Sequence, residues 1–200
     1  SIKVAIFCAT ILCLLALLVL LNFNHFTIIL ALGSMPLAFT YPLMKRFTYW
    51  PQLFLGITFN YGLILGWTSI KGEIDIIPII LYFGAIFWTL AYDTIYGFQD
   101  IKDDEIIGVK STSIKFKKNP TQFLSICFLI FSTTLLISGY MMNFNYLYFL
   151  PLLFIFFHLF LYQLKQFNLK DTYNCLKLFK SNNHLAFFTY ICLLIGKFNS

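Results

Sequence analysis

Seven apolar runs, at 3–21, 26–44, 51–70, 75–96, 120–141, 146–164 and 184–198, occupy most of this 200-residue chain. A run of about 20 apolar residues matches the hydrocarbon thickness of a bilayer. Several in succession therefore leave little room for any architecture except a polytopic membrane protein. Lipid offers no hydrogen-bond partners, so each run must satisfy its own backbone, which predicts helices. Strands of an outer-membrane barrel would alternate apolar and polar residues, and these runs do not. The expected fold is all-α, a polytopic helical membrane bundle of seven transmembrane helices forming a single domain over 1–200.

The basic residues assign the two ends of the bundle. Lys3, Lys45, Arg46, Lys102, Lys110, Lys115, Lys117, Lys118, Lys165, Lys170, Lys177 and Lys180 fall in alternate loops, leaving Lys71 and Lys197 for the other side. By the positive-inside rule the rich side is cytoplasmic. The net charge of +6 follows from that asymmetry, so it calls for no nucleic-acid partner. Cys8, Cys13, Cys127, Cys175 and Cys192 have no metal-ligand or disulfide spacing and read as small buried hydrophobes. His25, His158 and His184 are isolated and read as interfacial or packed, Asn182 and Asn183 as caps at the start of the last span. Gly62 and Gly66 form a G-x-x-x-G pair suited to close helix packing.

Chemistry concentrates elsewhere. The chain has eight acids, and five lie between Asp93 and Glu105, beginning inside an apolar run. At about 100° per residue, a continuous helix would put Asp100 and Asp104 within about 20° of Asp93, with Tyr96 about 60° away. A carboxylate within a span is costly, by roughly 2.5–3.5 kcal/mol at its centre, so the stripe needs a partner. A hard divalent cation bridging carboxylates and phosphate would serve. A solvated loop with acids paired to Lys102 and Lys110, and a proton or cation relay in a transporter, are the alternatives. On the same side lies Tyr41-Pro-Leu-Met-Lys45-Arg46-Phe-Thr48, holding the chain's single arginine. Its planar fork suits phosphate oxygens, and Lys45 adds a point charge. The patch Gly108-Val-Lys110-Ser111-Thr112 adds a cation and two hydroxyls. Acids for a metal and bases for phosphate on one membrane face suggest a lipid carrying a diphosphate.

These segments resemble the UbiA superfamily of intramembrane prenyltransferases. Asp93, Tyr96, Asp100 and Asp104 match its D-x-x-Y-x-x-x-D-x-x-x-D motif at every position, followed by Gly108–Thr112. The stretch YPLMKRFTYWPQLFLG (Tyr41–Gly56) and Cys175–Asn183 are similar to the 4-hydroxybenzoate polyprenyltransferases of that superfamily. The resemblance covers essentially the whole chain. It implies transfer of a polyprenyl group from polyprenyl diphosphate to C3 of 4-hydroxybenzoate in ubiquinone biosynthesis, assisted by Mg²⁺. Asp93, Asp100 and Asp104 would hold the metal, Arg46, Lys110 and Lys45 the diphosphate, and Tyr96 would stand beside the reacting allylic end. The family's earlier motif, N-D-x-x-D-x-x-x-D, does not occur here. The resemblance thus implies an N-terminally incomplete domain, the third to ninth of nine spans, lacking half of the metal site and inactive alone. Alternatives are a haem O or menaquinone branch of the superfamily, a non-catalytic remnant, or a secondary transporter. Composition suits an AT-rich bacterial genome and the cell inner membrane, with the mitochondrial inner membrane as alternative.

Overall fold

The computed structural model describes residues 1–198, and the described residues form helices joined by short turns, with no strand among them. Helix α1 (Ile2–Leu20) leads to α2 (His25–Thr40), a 3₁₀ turn at Tyr41–Leu43 and the short α3 (Met44–Phe47). Next come α4 (Pro51–Asn60), α5 (Gly62–Lys71), α6 (Ile76–Gly97), α7 (Ile101–Ile107), α8 (Thr112–Lys115), α9 (Pro120–Met141) and α10 (Tyr146–Phe157). A π-helical stretch, His158–Leu164, extends α10, and α11 (Thr172–Phe198) ends the described chain. The all-α bundle expected from the apolar runs is what forms.

Among the described residues, six stretches are long and apolar enough to cross a membrane, namely Ile2–Leu20, His25–Phe47, Pro51–Lys71, Ile76–Gly97, Pro120–Met141 and Tyr146–Leu164. The seventh expected run lies within α11, which starts at Thr172, twelve residues ahead of 184. Asp171 begins it, its carboxylate accepting from Asn174 N at 2.9 Å, an ordinary N-cap. The polar stretch is helical because Cys175, Leu178 and Asn182 on one face are buried. Asn182 and Asn183 therefore sit in mid-helix and cap nothing.

Helix α6 is the centre of the bundle, packed on α4, α9 and α11. Its core partners include Leu124, Phe128, Leu135, Leu178 and Leu185, all essentially inaccessible. Gly84 permits the α6–α9 contact, since a Cβ there would collide with the Thr134 side chain. Gly62 and Gly66 have open space where a Cβ would go, so the G-x-x-x-G pair makes no close contact. The span expected at 51–70 is broken at Tyr61 into α4 and α5. Asn24 anchors the second half: its Oδ1 caps α2 through Thr27 N at 2.9 Å, while its Nδ2 donates to Thr68 O at 2.8 Å.

Candidate functional site

The acidic segment is built from two helices. Helix α6 carries half-buried Asp93 and exposed Tyr96 in its last turns and stops at Gly97. Phe98 turns inward, 1 % exposed, with its ring 5.3 Å from that of Phe167. The backbone closes with 3₁₀-type bonds, Phe98 N to Ile95 O and Gln99 N to Tyr96 O. A new helix then opens, with Asp104 N donating to Asp100 O at 2.8 Å. The single continuous stripe expected for Asp93, Asp100 and Asp104 is thus cut. Asp93 ends one helix, and Asp100 and Asp104 begin another. The break coincides with Phe98 packing against Phe167 of a segment distant in sequence. A side chain at Gly97 would also meet Ser113, which packs there.

Gly108 ends α7 with φ +78°, and its amide and that of Val109 both donate to Asp104 O at 3.0 and 3.1 Å. A left-handed residue of this kind is an ordinary helix stop. Here it turns the chain so that Lys110 reaches α3. Lys110 N donates to Lys45 O at 2.8 Å, Lys110 Nζ donates to Phe47 O at 3.2 Å, and Nζ lies 5.6 Å from the centre of the Tyr49 ring. The two basic segments, 60 residues apart in sequence, are therefore one seam. Behind it Thr112 N donates to buried Gln52 Oε1 at 3.0 Å, and the Thr94 and Thr112 hydroxyls meet at 2.6 Å. Ser113 Oγ donates to Thr94 O at 2.9 Å, and Ser111 Oγ accepts from Ile114 N at 3.3 Å. Ser111 and Thr112, expected as hydroxyls of an anion patch, are buried braces instead.

Charge at the seam is mixed. Lys45 lies within Coulombic range of both Asp93 and Asp104. Partial burial holds Asp104 above the usual carboxylate range; Lys45 draws it down, and Asp100 and Asp103 push it up. Arg46 is exposed at the end of α3. The one ion pair among the described residues is Lys117 with Glu105, at 2.8 Å, which leaves Glu105 an ordinary surface acid. Among the described residues no three His, Cys, Asp or Glu side chains are gathered to hold an ion by themselves. The donors present are hard carboxylate oxygens beside two lysines and an arginine. That set fits Mg²⁺, which commonly takes one or two carboxylates and completes its shell with substrate phosphates.

Below the acids, a cavity of about 320 Å³ opens between α4, α6 and α11. Phe59, Trp88, Tyr92 and Phe179 supply aromatic wall, and Asn60, Thr89, Asn182 and Asn183 supply polar groups. Tyr96 joins this wall, its ring 4.7 Å from that of Phe179. The Trp88 indole stacks on Phe131 at 5.0 Å and 12°, and its Nε1 donates to Asn182 Oδ1 at 2.9 Å. Gln163, brought round by the π-helical stretch, donates to the same oxygen at 3.0 Å. Sequence reasoning missed Asn60, Trp88 and Thr89. The available signal was an asparagine inside an apolar run, which needs partners in lipid.

A profile of the UbiA prenyltransferase family matches residues 1–191. The chain belongs to this family. It is 54 % identical over 112 residues to the human and rat proteins named "4-hydroxybenzoate polyprenyltransferase, mitochondrial", covering 56 % of the chain and 30 % of each relative. To the Drosophila melanogaster protein of the same name it is 38 % identical over 183 residues, 91 % of the chain and 46 % of the relative. The chain thus spans about a third to a half of the length of these relatives. No solved structure matches it. UbiA prenyltransferases generally depend on a divalent metal.

Proposed function

We propose that this chain contributes to the active site of a 4-hydroxybenzoate polyprenyltransferase, moving a polyprenyl group from its diphosphate to ring carbon C3 in ubiquinone biosynthesis. The observation that carries this reading is the seam. Lys110 is bonded by its main chain to Lys45, which adjoins Arg46 and lies within the field of Asp104, so cations suited to phosphate stand with acids suited to a metal. The names of the relatives supply the acceptor.

Lys110 gives one ammonium proton to Phe47 O, which leaves two for diphosphate oxygens. Arg46, free of any ion pair in the described chain, supplies the bidentate fork. Asp93, Asp100 and Asp104 would hold Mg²⁺, which when bound would supply positive charge to offset the negative charge growing on the departing diphosphate. The carbon–oxygen bond breaks with its electron pair on the diphosphate, and the allylic fragment faces the aromatic cavity. Faces of Tyr92, Trp88 and Phe179 stabilise positive charge by roughly 0.5–2 kcal/mol each, and the dry wall withholds water from the cation. The prenyl tail lies along apolar helix faces towards lipid. The relatives are called mitochondrial. That supports the mitochondrial inner membrane over a bacterial one, and fractionation of the native cell distinguishes them.

The test is Asp104→Ala in the native protein, assayed in membranes with polyprenyl diphosphate and labelled 4-hydroxybenzoate. Prenyl transfer is lost while the protein still inserts. Full turnover at saturating Mg²⁺ would remove Asp104 from the metal site.

A further inference from the structure

Two asparagines of the aromatic cavity have opposite hydrogen-bond states. Asn182 is saturated. Its Oδ1 accepts from Trp88 Nε1 and Gln163 Nε2, and its Nδ2 donates to Leu178 O and Phe179 O, both at 3.1 Å. Two lone pairs and two protons are all an amide has, so Asn182 is a strut between α6, α10 and α11 with nothing left for a ligand.

Asn60 is half saturated. Its Nδ2 lies 2.8 Å from Gly56 O, 3.2 Å from Ala85 O and 2.7 Å from Thr89 Oγ1. Two of these neighbours are carbonyl oxygens, which can only accept, so the end of the amide facing them must be the NH₂. Both protons are committed and the side chain is held from α4 and α6. Among the described residues its Oδ1 accepts no hydrogen bond, and Asn60 lines the cavity. A fixed acceptor without a donor, set among aromatic rings, is a site for one O–H or N–H of a flat aromatic ligand.

We infer that Asn60 is a catalytic residue whose Oδ1 accepts the phenolic O–H of the aromatic acceptor. The inference rests on the proposed prenyl transfer and deepens it. C3 is ortho to the hydroxyl, so holding the hydroxyl fixes which ring carbon meets the allylic fragment. As the prenyl C–O bond breaks, its electron pair leaves with diphosphate. The ring then forms the new C–C bond from its π electrons at C3. Positive charge in the ring adduct is shared by the phenolic oxygen, whose O–H bond to Asn60 shortens and strengthens as it becomes more acidic. The C3 proton then passes to a diphosphate oxygen and aromaticity returns, with the hydroxyl proton retained throughout. A site built around one substrate hydroxyl rejects the analogue lacking it, because the protein's acceptor is then left unpaired.

The experiment is equilibrium binding of labelled 4-hydroxybenzoate and of labelled benzoate to the purified native protein, alongside product formation in membranes. Wild type should prefer 4-hydroxybenzoate at least tenfold. Asn60→Leu should bring that ratio close to one and lower kcat at saturating acceptor by ten- to a hundredfold, with the KM for polyprenyl diphosphate unchanged. Thr89→Val, which leaves both carbonyl anchors in place, should keep the preference. If Asn60→Leu fails to fold, Asn60→Ala reads the same ratio. A variant that retains the tenfold preference overturns the role of Asn60, whatever its activity. A wild type that binds 4-hydroxybenzoate with the preference yet forms no prenylated product overturns the proposed reaction and leaves the binding role standing.

Discussion

Helices α1 and α6 are both long enough to cross a bilayer, and they are opposites. No residue of the 19 in α1 is buried, although α1 is the more apolar of the two. Nine of the 22 residues in α6 are buried, and Trp88, Thr89, Asp93 and Thr94 all lie on it. In water the more apolar helix would be the more buried. In lipid the surroundings are as apolar as leucine, so burying leucine gains little, and association depends on close packing and polar bonds. Apolarity alone therefore does not mark the buried helix; small or polar residues mark the helix that organises the described bundle. Gly84 against Thr134 and Asn60 against Thr89 show this on α6.

The sharpest attempt to break the comparison is a matched pair, Gly84→Leu on α6 and Ala16→Leu on α1. The first should prevent α6 and α9 from closing and abolish a monodisperse peak after detergent extraction. The second should pass unnoticed; equal behaviour would mean that α6 has no organising role. A smaller contrast comes from Leu124→Ala in the core and Leu14→Ala on α1, 0 % and 56 % exposed. Core truncations in water cost 2–5 kcal/mol, and without a water-transfer component the Leu124 loss should fall near about 2 kcal/mol in denaturant unfolding. Leu14→Ala should stay within about 0.5 kcal/mol. Gln52→Leu leaves the buried Thr112 amide without its acceptor, a loss of about 1–2 kcal/mol in the same measurement. Least disruptive is Arg46→Lys on exposed α3. Stability should not change, while the KM for polyprenyl diphosphate rises severalfold because the planar fork is gone. An unchanged KM would return Arg46 to a purely topogenic role.

Spans and motif were legible because each is written locally. Apolar run length reports bilayer thickness, and the D-x-x-Y-x-x-x-D-x-x-x-D spacing is a string. What failed to show depends on partners distant in sequence. The stripe through Asp93, Asp100 and Asp104 assumed that α6 continues, and the break comes where Phe98 meets Phe167, 69 residues on. Ser111 and Thr112 looked like ligand hydroxyls because their true partners, Gln52 and Thr94, lie in other helices. The start of α11 was missed because its polar first half is helical only through the face it buries. Gly62 and Gly66 fit a packing pattern but have no neighbour, whereas Gly84, with no pattern around it, does. Asn60 stood out only as an asparagine inside an apolar run, and its partners Gly56, Ala85 and Thr89 were not legible until the helices were placed.

The bond from Lys110 N to Lys45 O joins two backbones and involves neither side chain. Identity at positions 45 and 110 can therefore drift without separating the two segments. Replacing Lys45 by methionine removes charge at a preserved location, whereas Lys110→Met also removes the Nζ bond to Phe47 O. The joint is thus a property of the main chain, and the side chains at 45 and 110 are set upon it rather than being part of it.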